Sequence, residues 1–268
     1  MRAYDGYEAF QFLEPGSDYE AFDLPPDHAG EPYLVPLDEA EAARAEEFVE
    51  GNLVVSLHDH TSFLPADIDR RADYTRQGRV VSPYRLLAES PLDAAFVNLM
   101  GAKTWDETIR NLGMTRTDIA HQDLVTVVED VADLRAVQED GQFGYVLGVE
   151  TSMLIENDLD RLDVLHGLGL RTLGLTYSES NALGTGLADQ HHDGGLTRFG
   201  ERAVERMNKL GILIDASHAS DRTTLHACEA SDDPVVLSHN GARALLDVPR
   251  LDPDEVLEAV ADTGGVIG

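Results

Sequence analysis

Residues 53–60 read LVVSLHDH, an apolar run that ends in two histidines one residue apart. The leucines and valines predict a buried β-strand. Successive side chains of a strand point to opposite faces, so His58 and His60 are expected on one face. Two imidazoles on one face can bind a single metal ion. An HxH pattern is also an ordinary chance feature of strands, so this pair alone decides nothing.

Three more metal-capable side chains follow strand-like runs in the same way. Glu150 follows YVLGV, His218 follows ILIDAS and His239 follows VVLS. Each alone has a structural explanation, as a salt-bridged carboxylate or a hydrogen-bonded core histidine. In α/β barrels, however, the active site lies at the carboxyl ends of the parallel strands. The four strand ends together therefore predict a metal site.

Strand-like and helix-like patterns alternate from residue 53 onward, which is typical of a parallel α/β sheet or barrel. We predict strands at 53–58, 95–100, 145–149, 171–177, 211–217, 234–239 and 264–268, and helices at 37–50, 117–138, 198–210 and 252–262. The expected fold is a TIM-type (β/α)8 barrel over residues 53–268, with residues 1–52 as an extension packed on it. Because the last predicted strand is only the seventh, we expect the barrel to be truncated before its eighth strand or completed by another chain.

The composition is strongly acidic. The 268 residues include 50 acidic and 20 basic side chains, for a net charge of −30. Such a charge disfavours nucleic acids and anionic membranes as partners, because binding them needs a basic surface. The acidic, lysine-poor composition is similar to that of proteins from halophilic archaea. Cys228 is the single cysteine, and no secretion signal or membrane span is recognisable, so we expect a cytoplasmic protein.

Four segments resemble one known family. They are LTRFGERAVERMNKLGILIDASHAS (196–220), PVVLSHNGARALLDVPRLDPDEVL (234–257), GYVLGVE (144–150) and GLGLRTLGLTYSESNALGTG (167–186). The sequence is similar there to the membrane (renal) dipeptidases, peptidase family M19, which are amidohydrolase-like metal-dependent barrels. The resemblance implies a binuclear zinc centre that hydrolyses the peptide bond of dipeptides through a metal-bridging hydroxide. The implied partner is a small peptide substrate.

The resemblance also implies residue roles. Glu150 matches the carboxylate that bridges two zinc ions, and His218 and His239 match ligands of the second zinc. His58 and His60 would bind the first. Arg250 matches the arginine that binds the terminal carboxylate of the substrate, a task that suits a guanidinium group.

Three departures from the family pattern affect the expected chemistry. His60 stands where the family has an aspartate, and this exchange still leaves a metal-binding side chain at the position. Tyr177 stands where the family has a histidine that contacts the reacting carbonyl, and its hydroxyl can still donate one hydrogen bond to an oxyanion. Asn181 is a weaker substrate-binding candidate that can equally be a turn residue. The family's catalytic aspartate follows the eighth strand, so we expect it to come from outside this sequence.

Alternatives remain at this level. The protein could hydrolyse another amide or a lactone, or it could be a catalytically silent metal-binding protein. The pair His191–His192 is more consistent with a loop than with a metal site. A homodimer is compatible with an unpaired barrel edge or with an acidic surface.

Overall fold

A computed structural model describes residues 7–25, 35–99 and 103–268 of the protein. Its strands are β1 (Val55–Asp59), β2 (Ala94–Asn98), β3 (Val125–Val127), β4 (Phe143–Val149), β5 (Leu170–Gly174), β6 (Leu213–Asp215) and β7 (Val235–Val236). The helices are α1 (Glu39–Gly51), α2 (Arg71–Gln77), α3 (Tyr84–Glu89), α4 (Trp105–Ile119), α5 (Val131–Asp140), α6 (Asp160–Gly167), α7 (Arg198–Leu210), α8 (Asp221–Ala230) and α9 (Asp254–Asp262). Short 3₁₀ helices cover Ile68–Arg70, Met153–Ile155 and Leu187–His192. The alternation of strand and helix confirms the predicted α/β class.

The chain divides into two compact units, each built on parts of the parallel sheet. The first unit comprises the described parts of Met1–Ser56 together with His60–Ala95 and Thr115–Tyr145. In it, β3 pairs in parallel with the first half of β4, with Val125 opposite Phe143. A buried carboxylate, Asp118, accepts hydrogen bonds from Tyr7 Oη at 2.6 Å and Tyr84 Oη at 2.9 Å and so fixes residues of the amino-terminal segment within this unit.

The second unit comprises Leu57–Asp59, Phe96–Met114 and Val146–Gly268. In it β4, β5, β6 and β7 pair in parallel in that order. Its core is aliphatic and includes fully buried leucines such as Leu147, Leu162 and Leu173. Parallel neighbours bring the carboxyl ends of these strands to one edge, which places the residues that follow them together.

The helix at 198–210 is confirmed with both of its predicted ends. The Thr197 side chain accepts a hydrogen bond from the Gly200 N–H, which caps the first turn. Gly211 adopts a left-handed conformation with φ of 75° and ends the helix. The predicted apolar stripe is buried at Ala203, Val204 and Met207.

The predicted helix at 117–138 is wrong in its middle. Helix α4 ends at Ile119, β3 occupies Val125–Val127, and α5 begins only at Val131. The Gln122 side chain accepts hydrogen bonds from the N–H groups of Leu124 and Val125 and donates to Ile119 O, so it ends one element and starts the next. The run of β-branched residues after it favours a strand.

The predicted strand at 264–268 is also wrong as a regular element. Only one isolated parallel bridge, between Leu237 and Ile267, is formed there. Gly264, the first residue of the predicted strand, has φ of 79°, so the backbone is not extended there. The other predicted strands are present but shorter at several ends, and residue 100 of the second lies outside the described residues. No helix among the described residues has the length and apolar character needed to cross a membrane.

Gly174 on β5 allows the backbone that follows β4 to lie very close to β5. A Cβ added to Gly174 would lie 2.1 Å from the carbonyl oxygen of Glu150. We predict that Gly174→Ala lowers the free energy of unfolding by about 1–3 kcal/mol, because the strands must separate to admit the methyl group. Denaturant unfolding in concentrated KCl measures the change.

The matched control is Gly113→Ala, at an exposed position in α4 where an added Cβ meets nothing within 4 Å. Alanine there should be neutral or stabilising by up to about 1 kcal/mol, because it is the better helix former. Equal unfolding free energies for the two variants would contradict the close approach.

Candidate metal centre

The four strand-end residues lie in the second unit, as its topology requires. His58 is in β1, Glu150 directly follows β4, His218 follows β6 and His239 follows β7. A register shift between Leu147 and Gly148 interrupts the pairing of β4 with β5 just before Glu150. Such irregularities re-aim the side chains that follow them.

One carboxylate oxygen lies at the centre of the cluster. Glu150 Oε1 is 2.9 Å from His58 Nε2, 3.6 Å from His239 Nε2 and 3.8 Å from His218 Nε2. The Nε2 atoms of His218 and His239 are 3.0 Å apart. The rings of His58 and His239 stack with centroids 3.9 Å apart. Three imidazole nitrogens therefore converge on one carboxylate.

The other oxygen of the carboxylate is held by Asn98 at the end of β2. Asn98 Nδ2 donates to Glu150 Oε2 at 2.6 Å, and the Glu150 N–H donates to Asn98 Oδ1 at 3.2 Å. This two-point contact fixes both the side chain and the main chain of Glu150. Oε1 is thereby left facing the histidines.

A hydrogen-bond chain behind His239 determines which ring nitrogen carries the proton. Ser238 Oγ donates to Asp215 Oδ2 and lies 2.8 Å from His239 Nδ1. Because the serine proton goes to the carboxylate, Nδ1–H of His239 donates to Ser238 Oγ. Nε2 then carries a lone pair directed at the cluster, as a metal ligand requires.

His218 is also held as a neutral imidazole. Burial, followed by the positive charge of Arg250, lowers its pKa to about 4. Burial, followed by His58, likewise lowers the pKa of His239 to about 4. Both rings are therefore uncharged at neutral pH, which is the form that binds metal. His218 Nδ1 is buried without a hydrogen-bond partner among the described residues.

The donor set fits a zinc-type ion. His58, Glu150 and His239 offer ligand atoms that all lie within 4.8 Å of one another. Zinc bonds of roughly 2.1 Å in tetrahedral geometry place neighbouring ligand atoms roughly 3.4 Å apart. The distances of 2.9 Å and 3.6 Å from Glu150 Oε1 to His58 Nε2 and His239 Nε2 bracket that value. His218 Nε2 lies 3.8 Å from the same oxygen, and His218 is not part of this group of three.

Comparison with known proteins identifies the family. The sequence profile of membrane dipeptidases, peptidase family M19, matches residues 59–268. The chain belongs to this family. Human Dipeptidase 3 is 30% identical over 195 residues, which covers 67% of this chain and 40% of the human protein. The chain thus spans less than half the length of this M19 relative.

Solved structures agree with the fold. An amidohydrolase from Pseudomonas aeruginosa superposes with a TM-score of 0.71 at 26% identity, covering 83% of this chain and 63% of its own. A metallopeptidase from Rhodobacter sphaeroides, solved with a phosphinate mimic of the dipeptide L-Ala-D-Ala, gives a TM-score of 0.63 at 21% identity, with 81% and 73% covered. The similarity to the metallopeptidase from Rhodobacter sphaeroides concerns the fold alone.

Arg250 lies beside the M19 cluster. Its Nη1 donates to Ser217 O at 2.7 Å and its Nη2 donates to His239 O at 2.6 Å. These carbonyls belong to the segments that carry His218 and His239, so the guanidinium group is anchored to two ligand-bearing strand ends. Burial lowers the pKa of Arg250 from its usual value.

Tyr177 and Asn181, the two other predicted substrate contacts, have different surroundings in the structure. The Tyr177 ring stacks on His218 with centroids 4.4 Å apart. Asn181 Nδ2 donates to Ser152 Oγ at 3.1 Å and to Leu175 O at 2.9 Å, and its Oδ1 accepts from the Leu183 N–H at 2.8 Å. These are the contacts of a residue that positions a loop. The predicted substrate contact of Asn181 stays a prediction.

His60 is exposed and lies in the first unit. The expectation of a face shared with His58 needs an extended chain through residue 60, but β1 ends at Asp59. The group of three metal-capable residues does not include His60, and its ligand role stays a prediction. His191 and His192 are exposed and close the 3₁₀ helix Leu187–His192, as the loop interpretation expects.

Sequence reasoning missed the residues that support the ligands. Asn98, Asp215 and Ser238 were not singled out, although each lies at or just beyond a strand end of the M19 site. The placement rule that found Glu150 did not point to Asn98, because Asn98 is the last residue of β2 but lies inside the longer strand predicted at 95–100. The roles of Asp215 and Ser238 depend on contacts between neighbouring strands, which a single sequence does not display.

We predict that Asn98→Ala weakens zinc binding by about 10-fold to 100-fold, the usual effect of losing a residue that orients a metal ligand. Calorimetric titration with zinc measures the affinity. Asn208→Ala is the control. Asn208 lies in the last turn of α7, and its amide donates a hydrogen bond to Ser231 at the end of α8 and does not contact the cluster. Unchanged affinity in Asn98→Ala would show that Glu150 needs no orienting partner.

The loop that carries Arg250 contains a carboxyl group with unusual titration. Asp252 is 5% exposed and accepts a hydrogen bond from Asn240 Nδ2. Arg243 ties the loop to α8 through two 2.8 Å contacts with Asp221. Burial, followed by the charge of Asp221, raises the pKa of Asp252 from 3.8 to about 7.

A raised pKa means that the folded chain holds this proton more tightly than the unfolded chain. The stabilisation is therefore complete below about pH 4 and is lost as the pH rises through about 7. We predict that Asp252→Asn removes this contribution, so that its unfolding free energy falls less between pH 5 and pH 8 than that of the unmodified protein. Denaturant unfolding across that range tests this, with exposed Asp262→Asn as the control.

Proposed function

We propose that the protein is a zinc-dependent dipeptidase that acts at the Glu150 cluster. The convergence of three imidazole nitrogens on Glu150 Oε1 is the observation that carries this proposal. Membership of the M19 family supports it, as does the similarity to Dipeptidase 3.

His58, His218 and His239 would hold two zinc ions with Glu150 between them, and His60 is the remaining candidate ligand. Such a pair of ions supplies a nucleophilic hydroxide at neutral pH and polarises the carbonyl that it attacks. The protein itself keeps the imidazoles of His218 and His239 neutral by burying them. Asn98 fixes the Glu150 carboxylate by a hydrogen bond.

Arg250 would bind the terminal carboxylate of the dipeptide. A guanidinium group has five N–H donors, and the contacts with Ser217 O and His239 O use two of them. Three donors remain for a ligand. Because the two backbone contacts fix the plane of the group, little side-chain entropy is lost when a carboxylate binds.

Tyr177 would donate a hydrogen bond to the developing oxyanion. Its ring lies flat against His218, which places the residue beside the ligand cluster. A phenol carries a single O–H donor, so it can stabilise one oxygen. Asn181 would contribute to the substrate pocket through its loop.

The sheet would form part of a (β/α)8 barrel. The parallel pairing of β4 through β7 and the similarity to the amidohydrolase of Pseudomonas aeruginosa support this extension. We infer a setting of high salt from the charge of −30 and propose a cytoplasmic location, which the single cysteine, Cys228, favours.

The test is dipeptide hydrolysis by the purified chain in concentrated KCl with zinc, cobalt or manganese added. We predict metal-dependent release of free amino acids, and about two zinc ions bound per chain. Glu150→Gln should abolish hydrolysis and zinc binding, because a neutral amide cannot balance the charge of the metal pair.

Glu205→Gln is the matched control, since Glu205 is exposed on α7. It should bind zinc and hydrolyse dipeptides as the unmodified protein does. Two zinc ions retained by Glu150→Gln would refute the bridging role. Zinc binding without hydrolysis of any dipeptide would refute the dipeptidase proposal for this chain. A parallel panel of lactones and non-peptide amides would then separate a hydrolase of another bond from a catalytically silent metal-binding protein.

A further inference from the structure

Lysine is almost absent from this chain, and one of its two lysines lies at the candidate site. Lys103 and Lys209 are the only lysines beside 50 acidic residues. Lys209 is in the last turn of α7. Lys103 lies two residues before α4, in the second unit with the cluster.

The ammonium group of Lys103 lies over the aromatic ring that covers His218. Lys103 Nζ is 5.7 Å from the centroid of the Tyr177 ring, within the range of a cation–π contact. The Tyr177 ring stacks on the His218 imidazole at 4.4 Å. One aromatic ring therefore contacts both a positive charge and a candidate metal ligand.

This ammonium group has no acidic partner within the described residues. No Asp or Glu oxygen there lies within 4 Å of Lys103 Nζ, and the side chain is exposed. Arg250, the other cation beside the cluster, is anchored to the main chain by both terminal nitrogens. Arg250 is therefore fixed and half-buried, whereas Lys103 is exposed and can bind a ligand.

We propose that Lys103 selects dipeptides that carry an acidic side chain, by binding that carboxylate at the rim of the cluster. This inference rests on the proposed dipeptidase function and concerns the substrate class of the same site. Neighbouring Cα atoms of a peptide are 3.8 Å apart, so both side chains of a dipeptide lie close to its reacting bond. A glutamate side chain from either residue can reach a charge one ring away from His218.

The charge of the chain makes such a local contact necessary for an acidic substrate. A net charge of −30 repels anions at long range. In molar salt the Debye length is roughly 3 Å, so only a cation in direct contact still attracts a carboxylate. Lys103 is placed to make that contact.

The test compares acidic dipeptides with their uncharged amide analogues. Ala-Glu, Ala-Gln, Glu-Ala and Gln-Ala are each assayed for kcat/KM with the zinc-loaded chain. We expect an acid-to-amide ratio above one at one of the two positions. In Lys103→Met the ratio should fall by about threefold, the size of one exposed ion pair, mainly through KM. Lys103→Arg should largely restore it.

Lys209→Met is the matched control, because it makes the same chemical change and the same change in net charge away from the site. It should leave the acid-to-amide ratio unaltered. An unaltered ratio in Lys103→Met would overturn the inference. An equal loss on all four dipeptides would also overturn it, since Lys103 would then act only by positioning Tyr177.

The two proposals fail in different ways. If the zinc-loaded chain hydrolyses none of the four dipeptides nor any other, the dipeptidase proposal fails and takes the selectivity of Lys103 with it. If it hydrolyses dipeptides and the preference for the acid is missing or independent of Lys103, only the substrate inference fails.

Discussion

The site depends on the placement of one atom, Glu150 Oε1, between three imidazole nitrogens. A carboxylate oxygen and the Nε2 lone pair of His239 both offer electrons to the same space. Two such groups repel each other unless a cation lies between them. The hydrogen-bond chain from Asp215 through Ser238 removes the alternative in which His239 points a proton inward. The arrangement therefore suits a cation at this point.

The backbone around Glu150 also helps to fix the position of its carboxylate. The strand register changes at Gly148, and Gly174 lets β5 approach the Glu150 carbonyl more closely than any side chain would allow. Asn98 then holds Glu150 at two points: its amide nitrogen donates to the carboxylate, and its amide oxygen accepts from the main-chain N–H. Because a fixed ligand loses little entropy when it binds, rigidity at these three positions translates into metal affinity.

Much of this was predictable from sequence, for reasons that particular residues make clear. Glu150, His218 and His239 follow apolar runs, and the parallel α/β pattern places such strand ends together. His60 lies one residue beyond the end of β1 at Asp59, and its ligand role stays a prediction. The strand β3 was missed because it has only three residues and lies between two helices, so its β-branched run was interpreted as part of one long helix. Asp215 and Ser238 escaped notice because their role is a contact across neighbouring strands.

The acidic surface and the site impose opposite electrostatic requirements. A charge of −30 attracts divalent cations and repels the terminal carboxylate that every dipeptide carries. Concentrated salt screens the repulsion at distances beyond direct contact. Binding of the substrate then depends on cations that touch it, and burial shields the Arg250 guanidinium from that screening. Under the proposed function, such a chain would keep its surface acidic for a salty solvent while a few basic groups beside His218 and His239 determine which anions bind.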